Sequence, residues 1–331
     1  MSEPADGRLS GARESVDRDG PDSGATRAAP PTARLLAGAP IAADIRAQLT
    51  REFAAFKDRN GYSPTLAIVL VGADAPSAVY LQQILRTCER VGARGRLLEI
   101  GSDATAEVVC DAIERLNGEP EVAGIIVQMP LPAHIPLRTV IDAIDPAKDI
   151  DGIHPRNAGL LSLGYDGFLP ATAQASVEIL KRSGIEISGR RVVVVGRSNV
   201  VGKPAALLLL REHGTVSILH SRTRDLARYT REAEILVVAV GRPGLITGDM
   251  LSPGVTIVDV GINVVSDPHG EGAGAVKLVG DVDFESASRV AAAITPVPGG
   301  VGPLTNALLL THLLRAATDQ AEGIETGGGS R

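Results

Sequence analysis

Two patterns of hydrophobic positions alternate along the chain. Short runs that are almost wholly apolar predict β-strands at residues 66–71, 122–127, 191–195, 215–219, 235–240 and 255–260. Apolar residues with a helical period predict helices at residues 42–58, 77–91, 104–116, 172–183, 203–213 and 305–317. Wholly apolar strands are typical of sheets that helices cover on both faces, which are mostly parallel. The pattern therefore predicts an α/β fold with two open, mostly parallel sheets.

The two ends of the chain lack this pattern. Residues 1–34 contain six acidic residues and five arginines but few large aliphatic side chains. Such a segment cannot bury enough apolar surface to offset the entropy of ordering, so we expect it to be disordered. It also lacks the apolar stretch of a secretory signal. We expect residues 319–331, which become glycine-rich, to form a second disordered tail.

Composition narrows the function and the compartment. A length of 331 residues suggests two domains, and the net charge of −6 predicts neither a nucleic-acid partner nor binding to an anionic membrane. No apolar run reaches the roughly 20 residues that a membrane-spanning helix needs. The two cysteines, Cys88 and Cys110, are too few for a disulfide framework or a cysteine-rich zinc site. We therefore expect a cytoplasmic protein without a metal.

A glycine-rich turn follows the strand predicted at residues 191–195. The segment from Gly196 through Arg197 and Ser198 to Gly202 leads into an apolar helix, whose free N–H groups would suit a pyrophosphate. Because the spacing differs from G-x-G-x-x-G, it supports a dinucleotide site only in part. The alternative is a tight turn with close packing of strand and helix.

The end of the next strand favours NADP over NAD. An NAD site would place an acidic residue there, whereas this strand is followed by Ser221 and Arg222, which suit a 2′-phosphate. Arg197 can add a second guanidinium. The alternative for Arg222 is an ordinary surface arginine. A later strand ends at Asp259 to Asn263, where Ile262 would face the nicotinamide, unless this segment is an ordinary turn.

Three further loops carry candidate ligand groups. Gln128 ends an apolar strand, where α/β sheets bind ligands, or else it caps loop backbone. Asp151 can accept two hydrogen bonds from an amino-pyrimidinone edge, or else it forms an Asx turn before Gly152. The loop at residues 295–303 is rich in glycine and proline. It allows close approach to a ligand, and it can equally be a rigid connector between domains.

In this order, the segments at residues 124–132, 149–155, 196–204 and 295–303 resemble the bifunctional methylenetetrahydrofolate dehydrogenase/methenyltetrahydrofolate cyclohydrolase family. The resemblance implies an N-terminal α/β domain that binds folate and is completed by the last helix, at residues 35–165 and 300–318. It also implies an inserted Rossmann-like NADP-binding domain at residues 166–299, with the folate in the cleft. The family's members are usually homodimers.

The resemblance further implies a reaction and a set of site residues. A hydride would pass from the methylene bridge of the folate to the nicotinamide, and water would then open the methenyl product to formyl-folate. This chemistry serves one-carbon metabolism, and through it purine, histidine and methionine biosynthesis. The implied catalytic residues are Tyr80, Gln128 and Asp151. The implied folate contacts add Val127, Met129, Pro298, Gly299 and Gly300. The implied cofactor contacts are Gly196, Arg197, Ser198, Gly202, Ser221, Arg222 and Ile262.

One departure from the family pattern concerns the catalytic lysine. The family has Tyr, three residues and then Lys, whereas this chain has Tyr80 and then Ile84. Isoleucine cannot move a proton, and none of the five lysines lies in this helix. A well-placed general acid/base typically contributes about 10²–10⁴ in rate. We therefore expect weak or absent hydrolysis and a reduced but retained hydride transfer.

Two other functions are compatible with the sequence. Ile84 alone favours a non-catalytic paralogue that binds NADP or folate as a sensor or partner subunit. An NADP-dependent reductase with another substrate is the third hypothesis. The glycine-rich turn together with Asp151 favours the folate enzyme over that reductase.

Overall fold

The computed structural model describes residues 33–72, 75–267 and 275–323. The helices are α1 (Gly38–Asn60), α2 (Ala75–Val91), α3 (Ala106–Gly118), α4 (Leu137–Asp142), α5 (Pro155–Leu163), α6 (Ala171–Arg182), α7 (Gly202–Arg211), α8 (Leu226–Glu232), α9 (Phe284–Ala287) and α10 (Val301–Glu322). The strands are β1 (Arg34–Leu35), β2 (Thr65–Val71), β3 (Arg94–Ile100), β4 (Val122–Val127), β5 (Arg191–Val195), β6 (Thr215–Leu219), β7 (Ile235–Val238), β8 (Thr256–Asp259), β9 (Asn263–Ser266), β10 (Val276–Val279) and β11 (Ala293–Ile294).

The strands form two parallel sheets and one ribbon. The larger sheet has the order β1-β11-β8-β7-β5-β6, and the smaller has the order β3-β2-β4. Every pairing within these two sheets is parallel. Strands β9 and β10 pair antiparallel. The predicted α/β fold with two mostly parallel sheets is confirmed.

Buried aliphatic strands explain why helices cover the sheets. Every residue of β2, β4, β7 and β8 is buried, so each of these strands needs cover on both faces. Helix α10 covers β4 and also packs against α1 and α6. Its apolar residues continue nearly all round, as in a helix that neighbours enclose.

The structure corrects the expected ends of the fold. Residues 33 and 34, which the sequence assigned to the first tail, belong to the fold. Ala33 is buried, and Arg34 pairs with Ala293 at the edge of the larger sheet. The last helix continues to Glu322, so residues 319–322 are helical rather than part of the second tail. Residues 1–32 and 324–331 lie outside the described residues.

The sequence missed the strands that are exposed or very short. β3 lies at an edge of the smaller sheet and is largely exposed, so it lacks an apolar run. Its Arg94 and Arg96 instead form ion pairs with Glu121 and Glu119, at 2.9 and 2.8 Å. β1 and β11 have two residues each, too few for a periodic signal. Within the described ranges, no helix is both long and apolar enough to cross a membrane.

A buried lysine closes the end of α3. Lys148 is buried, and its Nζ donates to the carbonyl oxygens of Asn117 at 2.6 Å, Glu119 at 2.8 Å and Leu116 at 3.3 Å. These carbonyls belong to the last turn of the helix and the residue after it, where no intrahelical partner is available. Burial lowers the pKa of Lys148, although the charges of Asp145 and Glu119 oppose the shift.

We predict that Lys148→Met lowers the free energy of unfolding by about 1–3 kcal/mol, because the carbonyl of Asn117 loses its Nζ donor and those of Leu116 and Glu119 keep only the backbone N–H groups of Glu119 and Val122. Lys57→Met is the matched control, since Lys57 is exposed in the last turn of α1 and should change stability by less than about 0.5 kcal/mol. Urea unfolding followed by circular dichroism measures both. Equal midpoints for the two variants would contradict the capping role of Lys148.

Candidate functional site

The glycine-rich turn between β5 and α7 is built around two positions without room for a side chain. A Cβ on Gly196 would lie 2.2 Å from the carbonyl oxygen of Ala239, and the φ of Gly196 is 130°. A Cβ on Gly202 would lie 2.3 Å from the carbonyl oxygen of Gly196. The contacts that require glycine are thus with backbone, as in the tight-turn alternative. They bring β5, the start of α7 and the end of β7 together.

Side chains of the turn hold its shape and leave a cationic surface. Ser198 Oγ accepts from the backbone N–H groups of Val201 at 3.1 Å and Gly202 at 3.3 Å. Lys203 Nζ donates to Asn199 Oδ1 at 2.8 Å. Lys203 and Arg197 are both exposed. Lys203 was not among the predicted site residues, although its position at the start of α7 was a usable signal.

The second group of predicted cofactor residues lies at the neighbouring strand end. β5 and β6 pair in parallel with Val195 opposite Leu219, so the residues that follow both strands lie at the same sheet edge. Ser221 and Arg222 are exposed there. A short turn supports them, because the N–H of Arg222 donates to His220 Nδ1 at 3.2 Å. The structure therefore brings Ser221, Arg222 and the turn that carries Arg197 to one edge.

Asp259, at the end of β8, serves the backbone. Its carboxylate accepts from the N–H groups of Gly261 at 3.0 Å, Asp281 at 3.0 Å and Val282 at 2.9 Å. Burial raises the pKa of Asp259 to about 6 against these donors. Ile262, by contrast, is 63% exposed. The segment thus combines the ordinary strand-end turn with an apolar side chain that is free to meet a ligand.

Gln128 follows β4 and is half-buried. Its backbone N–H donates to the carbonyl of Val69 at 2.9 Å, and its side-chain Nε2 donates to the carbonyl of Met129 at 2.7 Å. This second contact is the loop-capping alternative. Val127, which is buried, is the last residue of β4. Gln128 and the half-buried Met129 therefore follow the strand at the carboxyl end of the smaller sheet.

The loop with Asp151 is fixed by a buried carboxylate. Asp149 accepts from the N–H groups of Ile153 at 3.1 Å and His154 at 2.8 Å, and from Asn157 Nδ2 at 2.8 Å. Gly152 has a φ of 63°, and a Cβ there would lie 2.5 Å from the carbonyl carbon of Leu169. The loop is therefore pressed against the segment that leads into α6.

This packing changes the acidity of Asp151. Burial, followed by the negative charge of Asp149, raises the pKa of Asp151 to about 7, although the N–H of Ala171 opposes the rise. The side chain is half-buried, so it keeps a face toward solvent. A carboxyl group of this kind can hold or release a proton near neutral pH.

Helix α10 connects the Asp151 loop with the glycine- and proline-rich loop. The latter leads into α10, and a Cβ on Gly38 would lie 1.9 Å from the carbonyl oxygen of Gly300. Further along α10, His312 Nδ1 lies 2.8 Å from the carbonyl oxygen of Ile150. Burial lowers the pKa of His312 to about 4, so the ring is neutral at neutral pH. Pro298 is exposed and Gly299 half-buried, so the connector keeps part of its surface open.

Helix α2 carries two of the positions singled out in the sequence, Tyr80 and Ile84. The side chain of Tyr80 lies outside the described residues. Ile84 is only 3% exposed and belongs to the main aliphatic cluster of the protein. The residue at this position is therefore a packed hydrocarbon that offers no proton.

A cavity of about 640 Å³ lies at the opposite edge of the larger sheet, where β5, β7 and β8 begin. Its arginines are held by glutamates and by backbone carbonyls. Arg190 lies 3.0 Å from Glu234 and 3.5 Å from Glu186, and Arg191 Nε donates to the carbonyl of Glu232 at 2.9 Å. Ligands of open α/β sheets bind at the carboxyl ends of strands, so we do not assign the cofactor to this cavity.

Comparison with known proteins gives two family matches. The family model described as "Tetrahydrofolate dehydrogenase/cyclohydrolase, catalytic domain" matches residues 36–151. The model described as "Tetrahydrofolate dehydrogenase/cyclohydrolase, NAD(P)-binding domain" matches residues 170–321. Together the two models cover most of the chain.

Similar proteins of known name agree with these matches. The chain is 47% identical over 294 residues to the bifunctional protein FolD of Herpetosiphon aurantiacus, covering 88% of this chain and 99% of that protein. A Trypanosoma brucei N5,N10-methylenetetrahydrofolate dehydrogenase-cyclohydrolase, solved with NADP and an inhibitor, is 37% identical, with a TM-score of 0.83 and coverages of 87% and 98%. The bifunctional FolD of Campylobacter jejuni is 40% identical, with a TM-score of 0.81 and coverages of 86% and 98%.

We predict that Asp151 makes the protein less stable as the pH rises from about 4 to about 7. The folded state holds the proton up to about pH 7, whereas an unfolded aspartate releases it near pH 4, so the folded state binds more protons in this window. Asp151→Asn lacks this titration. Melting temperatures between pH 4 and pH 8 should show the wild type losing stability relative to the variant as the pH rises. Parallel curves would contradict the raised pKa.

Proposed function

The chain belongs to the tetrahydrofolate dehydrogenase/cyclohydrolase family, and we propose that the loops described above bind NADP and a folate next to each other. The protein is an NADP-dependent methylenetetrahydrofolate dehydrogenase, which oxidises methylenetetrahydrofolate to methenyltetrahydrofolate. The main support for this site is that the glycine-rich turn lies at the same sheet edge as Ser221 and Arg222.

The cofactor contacts follow from the chemistry of that edge. NADP supplies the acceptor for the hydride. We assign its 2′-phosphate to Ser221, Arg222 and Arg197, because guanidinium groups bind phosphate in a two-pronged way and no acidic residue stands at this strand end. Gly196, Ser198 and Gly202 shape the turn beside it. We assign the nicotinamide to the exposed side chain of Ile262.

The folate contacts lie on the other group of loops. We propose that the ionised carboxylate of Asp151 accepts two neighbouring N–H donors of the pterin ring, which would lower its pKa from the value of about 7 in the free protein. Val127, Gln128 and Met129 would line one side of the ring. Pro298, Gly299 and Gly300 would line the side next to α10, and Tyr80 would flank the folate from α2.

The hydride step and the hydrolysis step place different demands on these residues. Hydride transfer needs orientation and electrostatics, since the cofactor carries the chemistry. Hydrolysis needs a group that takes a proton from water, and Ile84 is a buried hydrocarbon at the position where we infer that the family has lysine. We therefore propose a dehydrogenase that releases most of its methenyl product without hydrolysing it.

The fold suggests how the two regions divide. We propose that residues 35–165 and 300–318 form the folate-binding domain and residues 166–299 the NADP-binding domain, which the packing of α10 against α1 and β4 supports.

The two cysteines are free, and burial raises the pKa of Cys88 to about 12. We place the enzyme in the cytoplasm, where it would supply one-carbon units for purine, histidine and methionine biosynthesis.

We predict that the purified protein reduces NADP with methylenetetrahydrofolate and hydrolyses methenyltetrahydrofolate slowly. Ile84→Lys should raise hydrolysis by about 10²-fold or more, because burial lowers the pKa of a lysine toward the range that suits proton transfer. Absorbance assays of NADPH formation and of methenyl loss measure the two steps.

The control for that variant is Ile84→Met, which fills a similar volume without a charge. It should leave hydrolysis at the wild-type rate. Wild-type hydrolysis as fast as that of Ile84→Lys would contradict the argument about Ile84. Binding of NADP and folate without NADPH formation would instead identify the non-catalytic paralogue.

The ribbon of β9 and β10 supports a homodimer. Val264 and Leu278 lie opposite each other and are 58% and 43% exposed, and Val276 on the same face is 64% exposed. A two-stranded ribbon alone in water is at best marginally stable, so an exposed apolar face of this kind needs cover. We propose that a second copy of the chain covers it, because a twofold axis lets the same patch face itself.

We predict that the wild type has twice the chain mass of 34.3 kDa in solution and that Val264→Glu with Leu278→Glu is a monomer. Val108→Glu is the control, since Val108 is 48% exposed on α3, away from the ribbon. Light scattering after size-exclusion chromatography measures the masses. A monomeric wild type, or a dimeric double variant, would contradict this interface.

A further inference from the structure

A buried carboxylate outside the proposed contacts connects two loops at the cofactor edge. Asp281 follows β10 and is fully buried. Its Oδ2 accepts from the backbone N–H groups of Val240 at 2.6 Å and Gly241 at 2.9 Å. Its Oδ1 accepts from the N–H of Arg242 at 2.8 Å and from Asn263 Nδ2 at 2.9 Å. One carboxylate thus receives four donors from two separate segments.

Both segments leave the carboxyl edge of the larger sheet. The first, at residues 239–242, follows β7 and begins with Ala239, whose carbonyl approaches Gly196 of the glycine-rich turn. The second, at residues 260–263, follows β8 and carries the exposed Ile262. These are the places where an open α/β sheet binds its ligand. Asp281 therefore sets the position of one loop relative to the other.

The two carboxylates pack so tightly against the backbone that neighbouring glycines have no room for a side chain. A Cβ on Gly261 would lie 2.2 Å from the Asp281 carboxyl carbon, and a Cβ on Gly280 would lie 1.8 Å from Asp259 Oδ2. Asp259 in turn accepts from the N–H groups of Asp281 and Val282. The Asp259 carboxylate fixes the segment that carries Asp281, and Asp281 fixes the two loops.

We propose that Asp281 is a positioning residue for NADP binding. It acts through the loops after β7 and β8, which it orders before the cofactor arrives. The cofactor would then not bear the entropy cost of ordering them. This inference rests on the proposed placement of NADP at this edge. It predicts that loss of the carboxylate weakens NADP binding more than folate binding.

The test compares three variants with the wild type by isothermal titration calorimetry against NADP and against a stable folate. Asp281→Asn keeps the shape but loses acceptor capacity, and should raise the Kd for NADP by about tenfold, as for one lost hydrogen bond to a charged group. Asn263→Ala removes one of the four donors and should raise it by about threefold. Both should change the Kd for the folate by less than about twofold.

Asp283→Asn is the matched control, because Asp283 is two residues further along and its carboxylate accepts from Ser286 Oγ at 2.6 Å. It should leave both affinities unchanged. Equal losses for NADP and folate, or a lower melting temperature of Asp281→Asn with wild-type NADP affinity, would overturn the positioning role. If Asp281→Asn does not fold, an unchanged NADP affinity in Asn263→Ala overturns it. A wild type that does not bind NADP would refute the proposed function instead.

Discussion

The close approach of backbone at Gly196 is the constraint on which the cofactor side of this protein depends. Because Gly196 has no side chain, the turn after β5 can lie directly against the carbonyl of Ala239 after β7. Gly202 allows α7 to begin against the same turn. A methyl group at either position would push the strand ends apart. The edge at which Arg197, Ser221 and Arg222 present their polar groups would then change shape.

Buried carboxylates hold the loops at the ends of the strands in fixed positions. Asp259 and Asp281 bind backbone N–H groups of the loops after β7 and β8, and Asp149 does the same for the loop with Asp151. Each carboxylate is costly to bury and is compensated by several donors. Helix α10 extends the arrangement, because His312 contacts the carbonyl of Ile150 beside Asp151. These buried polar contacts thus fix the loops that carry the proposed binding residues.

The sequence predicted the buried elements best, for a physical reason. The strands around Leu66 and Val122 are apolar on both faces, so local composition alone identifies them. It missed β3, whose Arg94 and Arg96 are exposed at a sheet edge, and the ribbon of β9 and β10. The sequence favoured NADP because Ser221 and Arg222, rather than an acidic residue, follow β6 directly in the chain. The roles of Lys148 and Asp281 were not readable, because their partners come from distant segments.

We propose that NADP and a folate bind to the two groups of loops that these glycines and carboxylates organise. The decisive experiment is a crystal structure of the wild type with NADP and a stable folate. We expect the 2′-phosphate to lie within about 3 Å of Ser221 and Arg222 and the pterin N–H groups to donate to the carboxylate of Asp151. A 2′-phosphate that contacts neither Ser221 nor Arg222, or a pterin ring remote from Asp151, would contradict it.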